Sequence, residues 1–137
     1  NGTLLVVDDE VQVREVVARA LTRAGYRVLE ASGGRDAINA YREHQSEISL
    51  VVLDMIMPEM DGHETLVRLR QLNPDVSALF LTGYTNDTRL RELAEKGLAQ
   101  VLEKPVDLRA LSERVQELLR LDRESGLKHT PPIDTPS

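Results

Sequence analysis

The stretch Leu50-Val51-Val52-Leu53-Asp54-Met55-Ile56-Met57-Pro58-Glu59-Met60-Asp61-Gly62 decides how the rest of the chain is read. Four consecutive apolar residues without polar alternation describe a strand buried on both faces, as in parallel sheets. The run ends abruptly on the carboxylate of Asp54. The segment 57–62 is rich in turn formers, and Leu66, Leu69 and Leu72 then recur at helical spacing until Pro74 forbids continuation. The unit is strand, acidic end, turn, helix.

The same unit recurs on both sides. Residues 3–7 form an apolar run that stops at Asp8, Asp9 and Glu10, and Val13, Val16, Val17, Ala20, Leu21 and Ala24 predict a helix stopped by Gly25. Residues 26–30 predict a second strand, and Ser32 a cap for a helix that buries Ala37, Ile38 and Tyr41. Downstream, residues 76–81 predict a strand ending at Thr82-Gly83, with a helix carrying Leu90, Leu93 and Ala94 up to Gly97. Residues 99–102 predict the last strand, ending at Lys104-Pro105, and Leu108, Leu111, Val115, Leu118 and Leu119 mark the last helix. Five alternations of strand and helix imply an α/β fold: a parallel sheet with helices on both faces, for which the flavodoxin-like strand order 2-1-3-4-5 is the common solution. Periodicity fades near Asp122. Residues 1–121 are therefore expected to form the domain, and 122–137, with Ser125-Gly126 and three prolines, a polar disordered tail.

Composition narrows the function. The 137 residues suit one domain, and the 41% hydrophobic and 29% charged content is that of an ordinary globular chain. A net charge of −6 with arginines interleaved among acids argues against direct nucleic-acid binding, and 3% aromatic content argues against a stacking platform for single strands. No cysteine is present, which removes thiolate chemistry and fits a reducing compartment. No apolar run is long enough to span a bilayer and no signal peptide opens the chain, so a cytoplasmic location without membrane contact is expected. His44, His63 and His129 show no paired ligand spacing.

In an open parallel sheet, ligands bind beyond the carboxyl ends of the strands. Asp8 and Asp9 follow the first strand, Asp54 ends the third, Thr82 ends the fourth and Lys104 follows the fifth. Any one of these has an ordinary explanation: acids after a strand often cap the next helix, and Lys-Pro is a common turn. Their coincidence on one sheet edge does not. Clustered carboxylates repel unless a hard cation sits among them, and an all-oxygen donor set suits Mg²⁺, with Mn²⁺ as a substitute. With a lysine ammonium and a threonine hydroxyl alongside, the set supplies the charge neutralisation and positioning that phosphoryl transfer needs, and Asp54 is a nucleophile.

These residues lie in strings that resemble the response-regulator receiver domains of two-component systems. Val6-Val7-Asp8-Asp9-Glu10 is similar to the family's acidic opening. Residues 54–62 match its Asp-x-x-Met-Pro-x-Met-Asp-Gly loop, and Leu81-Thr82-Gly83 and Glu103-Lys104-Pro105-Val106 resemble the two remaining motifs. The resemblance covers roughly residues 3–121. It implies that Asp54 is the phosphoacceptor, and that Mg²⁺ is held by Asp9, Asp54 and the backbone carbonyl of Ile56, with Asp8 acting through a water. It implies that Thr82 hydrogen-bonds the phosphoryl group, that Lys104 pairs with Asp54 at rest, and that the Lys104–Pro105 bond is cis. It further implies a phosphohistidine donor on a histidine kinase or phosphotransfer protein. Such a domain catalyses its own phosphorylation and dephosphorylation but acts as a switch, with no separate substrate turned over.

The chain departs from the pattern at Val101, three residues before the lysine, where many receivers carry a tyrosine or phenylalanine whose burial reports the switch. Ile56 and Tyr84 flank the expected path of hydrolytic water and position it poorly, so slow self-dephosphorylation is expected. The family's readout face would be surrounded by Arg89, Arg91, Glu92, Glu95, Arg109, Glu113 and Glu117, a mixed-charge surface suited to a weak homodimer or to plain solubility. The absence of an initial Met and the short tail suggest a receiver cut from a longer protein, such as a hybrid histidine kinase. Rival readings are a haloacid-dehalogenase-like phosphotransferase, which would need an aspartate where Ile56 stands, and a flavin-binding domain, whose phosphate site the carboxylates would repel. A phosphate-independent adaptor of the same fold remains the alternative.

Overall fold

A computed structural model describes residues 2–83 and 86–128, with side chains through Glu124. Five strands, β1 (Thr3–Val7), β2 (Arg27–Ala31), β3 (Ile48–Asp54), β4 (Ala78–Thr82) and β5 (Gln100–Glu103), alternate with five helices, α1 (Val11–Arg23), α2 (Gly34–His44), α3 (Gly62–Leu72), α4 (Thr88–Glu95) and α5 (Leu108–Lys128). All pairings are parallel and the order is β2-β1-β3-β4-β5, as the alternation predicts. The three central strands are buried along their length, apart from Ser49, whereas β2 and β5 at the edges are partly exposed.

The period-2 geometry of each strand divides the core. Leu4, Val6, Leu50, Val52, Leu79 and Leu81 face one way and pack with Val17, Leu21, Leu111 and Val115 of α1 and α5. Leu5, Val7, Val51, Leu53, Ala78 and Phe80 face the other way and pack with Ala37, Tyr41, Leu66, Leu69 and Leu90 of α2, α3 and α4. This two-sided burial is why the strand sequences run apolar without alternation.

Some boundaries move. The second strand begins one residue later than the apolar pattern suggests, because Tyr26 packs under α1 and α5 instead of pairing in the sheet. Ser32 does not cap α2. The N-cap is Gly33, without a side-chain bond, and the Ser32 hydroxyl donates to Asp36 Oδ2 at 2.7 Å. The last helix runs on to Lys128, past the expected end at residue 121. Gly126 costs such a helix only about 1 kcal/mol relative to alanine. Against that stand an Arg120–Glu124 pair one turn apart at 2.7 Å and a hydrogen bond from the Ser77 hydroxyl to Asp122. The rest of the expected tail, residues 129–137 with His129, lies outside the described residues.

Candidate functional site

The strand ends deliver the polar residues to one edge of the sheet. Asp54 is the last residue of β3, and its neighbour in register is Leu81, immediately before Thr82. Asp8 and Asp9 follow β1, which lies on the other side of β3. Lys104 leaves β5, and its backbone amide donates to the Thr82 carbonyl at 3.0 Å, extending the ladder by one bond. The Lys104–Pro105 peptide is cis.

Carboxylate oxygens of Asp8, Asp9 and Asp54 lie within 4.8 Å of one another. Asp8 and Asp54 are buried, and Asp9 is partly exposed. The Lys104 ammonium donates to Asp54 Oδ1 at 3.2 Å and to Asp8 Oδ2 at 3.3 Å, and Glu10 Oε1 stands 3.9 Å away. Burial, then the neighbouring charge of Asp8, pushes the Asp54 carboxyl up to about 6, although Lys104 pulls against both. Lys104 is itself raised: burial acts to lower it, and the charges of Asp54 and Asp8 outweigh burial. A buried carboxylate that one lysine cannot fully neutralise, beside two more carboxylates and no sulfur or imidazole ligand, fits a hard divalent cation.

The acids also do what ordinary structure asks of them. Asp8 Oδ1 accepts the Glu10 amide at 2.9 Å, just ahead of α1. Asp61 caps α3 by accepting the Glu64 amide at 2.9 Å, and Asp87 caps α4 through the Arg89 amide at 2.9 Å. Asp61 and Asp87 are thus helix caps, whereas Asp8 holds the amide of Glu10, the N-cap residue of α1, which has no side-chain cap of its own.

The loop after Asp54 is tightly constrained. The Gly62 amide donates to the Met55 carbonyl at 2.7 Å, and a Cβ at Gly62 would press on the Asp54 carbonyl oxygen and would lie 2.9 Å from Met55 Cα. Glu59 takes φ +69°, and the Met60 amide reaches back to the Pro58 carbonyl at 2.7 Å, a strained γ-turn-like kink. The Ile56 side chain, two residues beyond Asp54, is 54% exposed. Tyr84 lies outside the described residues. Thr82 is 1% exposed at the end of β4. Val101 is half-buried against the cluster that holds Phe80, Leu90 and Ala99.

Two arginines join the surroundings of the site unannounced by any motif. Arg14 on α1 donates from Nη1 to the Asp8 carbonyl at 2.9 Å, and its Nε pairs with Glu30 at 3.1 Å. Arg89 on α4 bridges Asp61 at 2.9 Å and Asp87 at 3.1 Å, tying the N-termini of α3 and α4 together. Arg89 is legible in the sequence only as part of a mixed-charge surface. Arg14 carries no sequence signal, because its reach depends on the angle at which α1 leaves the loop. His44 and His63 sit on α2 and α3, outside the carboxylate cluster.

The sequence profile of the response regulator receiver domain matches residues 4–116. The chain is 40% identical to the sensor kinase CckA of Brucella abortus over 119 residues, which are 87% of this chain and 13% of that protein. It is 32% identical to the response regulator receiver protein CpdR of the same organism over 116 residues, 85% of this chain and 95% of CpdR. The crystal structure of the receiver domain from the hybrid histidine kinase CckA superposes with a TM-score of 0.74 at 36% identity, covering 86% of this chain and 99% of that one.

Proposed function

Because the chain belongs to the response-regulator receiver family of two-component systems, we propose that Asp54 accepts a phosphoryl group from a phosphohistidine of a histidine kinase or phosphotransfer protein, and that the domain changes conformation in response. The observation that carries this reading is the meeting of Asp54, Asp8, Asp9 and Lys104 at one sheet edge, with the Lys104 ammonium 3.2 Å from the acceptor carboxylate.

In the transfer, an Asp54 carboxylate oxygen forms the new bond to phosphorus as the phosphorus–nitrogen bond to the donor imidazole breaks. The electron pair leaves with the imidazole. Lys104 would follow the negative charge from the free carboxylate to the phosphoryl oxygens, and Thr82 would donate its hydroxyl to one of them. Receiver domains bind Mg²⁺ at an acidic pocket, and the donor set here fits it. Asp9, Asp54 and the backbone carbonyl of Ile56 would hold the ion, and Asp8 would act through a water. When bound, it supplies positive charge to the phosphoryl oxygens. An apolar groove lined by Val13, Val16, Pro105, Val106 and Leu108 borders Lys104 and is suited to a helix of the donor protein. Among the described residues no helix is long and apolar enough to cross a membrane.

Intact mass after incubation with acetyl phosphate and Mg²⁺ tests the assignment. One phosphate is expected on the wild type, dependent on Mg²⁺ and absent from Asp54→Ala. An adduct that persists in Asp54→Ala places the chemistry elsewhere.

A further inference from the structure

Arg14 stands in the first turn of α1, where aligned peptide dipoles leave partial positive charge and a cation is locally disfavoured. Its side chain is nevertheless only 16% exposed. The guanidinium spends its donors on two acceptors from different elements: the main-chain oxygen of Asp8 at 2.9 Å and the Glu30 carboxylate, at the end of β2, at 3.1 Å. A residue placed against the local electrostatics and held by specific partners serves something other than helix stability.

The Asp8 oxygen belongs to the peptide unit that joins Asp8 to Asp9. That unit is planar, so fixing its oxygen fixes the plane and the direction in which Asp9 departs. The Asp8 amide is held by the Ala31 carbonyl at 3.2 Å, and its Oδ1 by the Glu10 amide at 2.9 Å. Arg14 adds a third tie, at the Asp8 carbonyl, and links it to α1 and β2. We propose that Arg14, braced by Glu30, is a positioning residue for the cation site: it holds the Asp8–Asp9 peptide so that both carboxylates converge with Asp54. The proposal rests on the reading of the three-carboxylate cluster as a Mg²⁺ site.

Charge and geometry make opposite demands here. If Arg14 acted only as a nearby cation, it would compete with Mg²⁺ for the carboxylates, and its removal would tighten Mg²⁺ binding. If it positions the turn, its removal weakens binding, as loss of a group that orients ligands does elsewhere.

The test is calorimetric titration of Mg²⁺ alone, at fixed ionic strength, into the wild type, Arg14→Gln, Arg14→Lys and Glu30→Gln, each checked for fold by circular dichroism. Arg14→Gln is expected to weaken binding about tenfold. Arg14→Lys recovers part of the loss, because an ammonium can reach the carbonyl but lacks the fork that spans both acceptors. Glu30→Gln gives a smaller loss. Equal or tighter binding by Arg14→Gln overturns the proposal. Should Arg14→Gln fail to fold, unchanged affinity in both Arg14→Lys and Glu30→Gln overturns it instead. A wild type that binds no Mg²⁺ removes the underlying site reading, and this inference with it.

Discussion

Asp54 is 5% exposed and its carboxyl is pushed from the ordinary 3.8 to about 6, first by burial and then by Asp8. Without a cation, the folded protein therefore keeps this proton to a higher pH than the unfolded chain does. Between about 3.8 and 6 the folded state binds more protons, so this group's contribution to stability falls as pH rises and the whole cost stands at pH 7. Asp54→Asn removes the charge and leaves an oxygen for Lys104. In EDTA it is expected to be more stable than the wild type at pH 7 by about 1–3 kcal/mol. The gap should close toward pH 4, as read by thermal melts at the two pH values. A gap that widens on acidification contradicts the assigned sign. Gly62 makes a different kind of demand. A methyl there meets the Asp54 carbonyl oxygen, Met55 Cα and Phe80 Cε1, and two of these three are backbone atoms that cannot swing away. Gly62→Ala is expected to cost more than about 2 kcal/mol and to slow phosphorylation with it, since relief of the clash displaces Asp54. Urea melts and the acetyl phosphate assay read the two effects.

Among the helices, α4 is short and buries only Leu90. Its position relative to α3 is also set by Arg89, which pairs with the cap of each helix, Asp61 and Asp87. The hydrogen bond from Arg89 holds the Asp87 carboxyl below its usual range. These groups face solvent, so each pair is worth only about 0.2–1 kcal/mol. Their interest is that they join the loops after β3 and β4. Asp61→Asn preserves the cap, because asparagine caps as well as aspartate, while it removes the charge. A double-mutant cycle of Arg89→Gln with Asp61→Asn is expected to show a coupling of about 0.5 kcal/mol in urea melts at low salt, shrinking at high salt. Additive effects would mean that the bridge contributes nothing in solution. On β5, Val101 is in register with Phe80 and half-buried. A valine fills that place without a ring that could move between buried and exposed positions, so communication from Thr82 through a rotating aromatic has no counterpart at this position.

Across the whole molecule, a cation held by the three carboxylates would link its binding to stability, because they converge only when β1 and β3 are paired. The unfolded chain holds Asp8–Asp9 and Asp54 far apart. Mg²⁺ at ten times its dissociation constant is therefore expected to add about 1.4 kcal/mol, with the melting temperature rising with Mg²⁺ and falling back in EDTA. In Asp54→Ala the rise should be much smaller. An equal rise in that variant would place the ion elsewhere.

Much of this protein is legible in one dimension. Uninterrupted apolar runs at Thr3–Val7 and 50–53 require strands covered on both faces, and alternation with helical periodicity then leaves few chain paths. Because every strand is parallel, the residues that end or follow the strands lie at the same edge of the sheet. The linear order of residues is therefore enough to bring Asp8, Asp54, Thr82 and Lys104 together. What tertiary structure alone decided are matters of angle and reach. Ser32 spends its hydroxyl on Asp36 and leaves the cap to Gly33, and α5 passes through Gly126 to Lys128. The Lys104 ammonium divides itself between Asp54 and Asp8. Arg14 and Arg89 reach across elements to the loops around Asp54, over separations in sequence that no local pattern reports. Periodicity records which face of an element is buried. It holds no information on the rotation and tilt that bring a long side chain on one element to a single backbone oxygen on another.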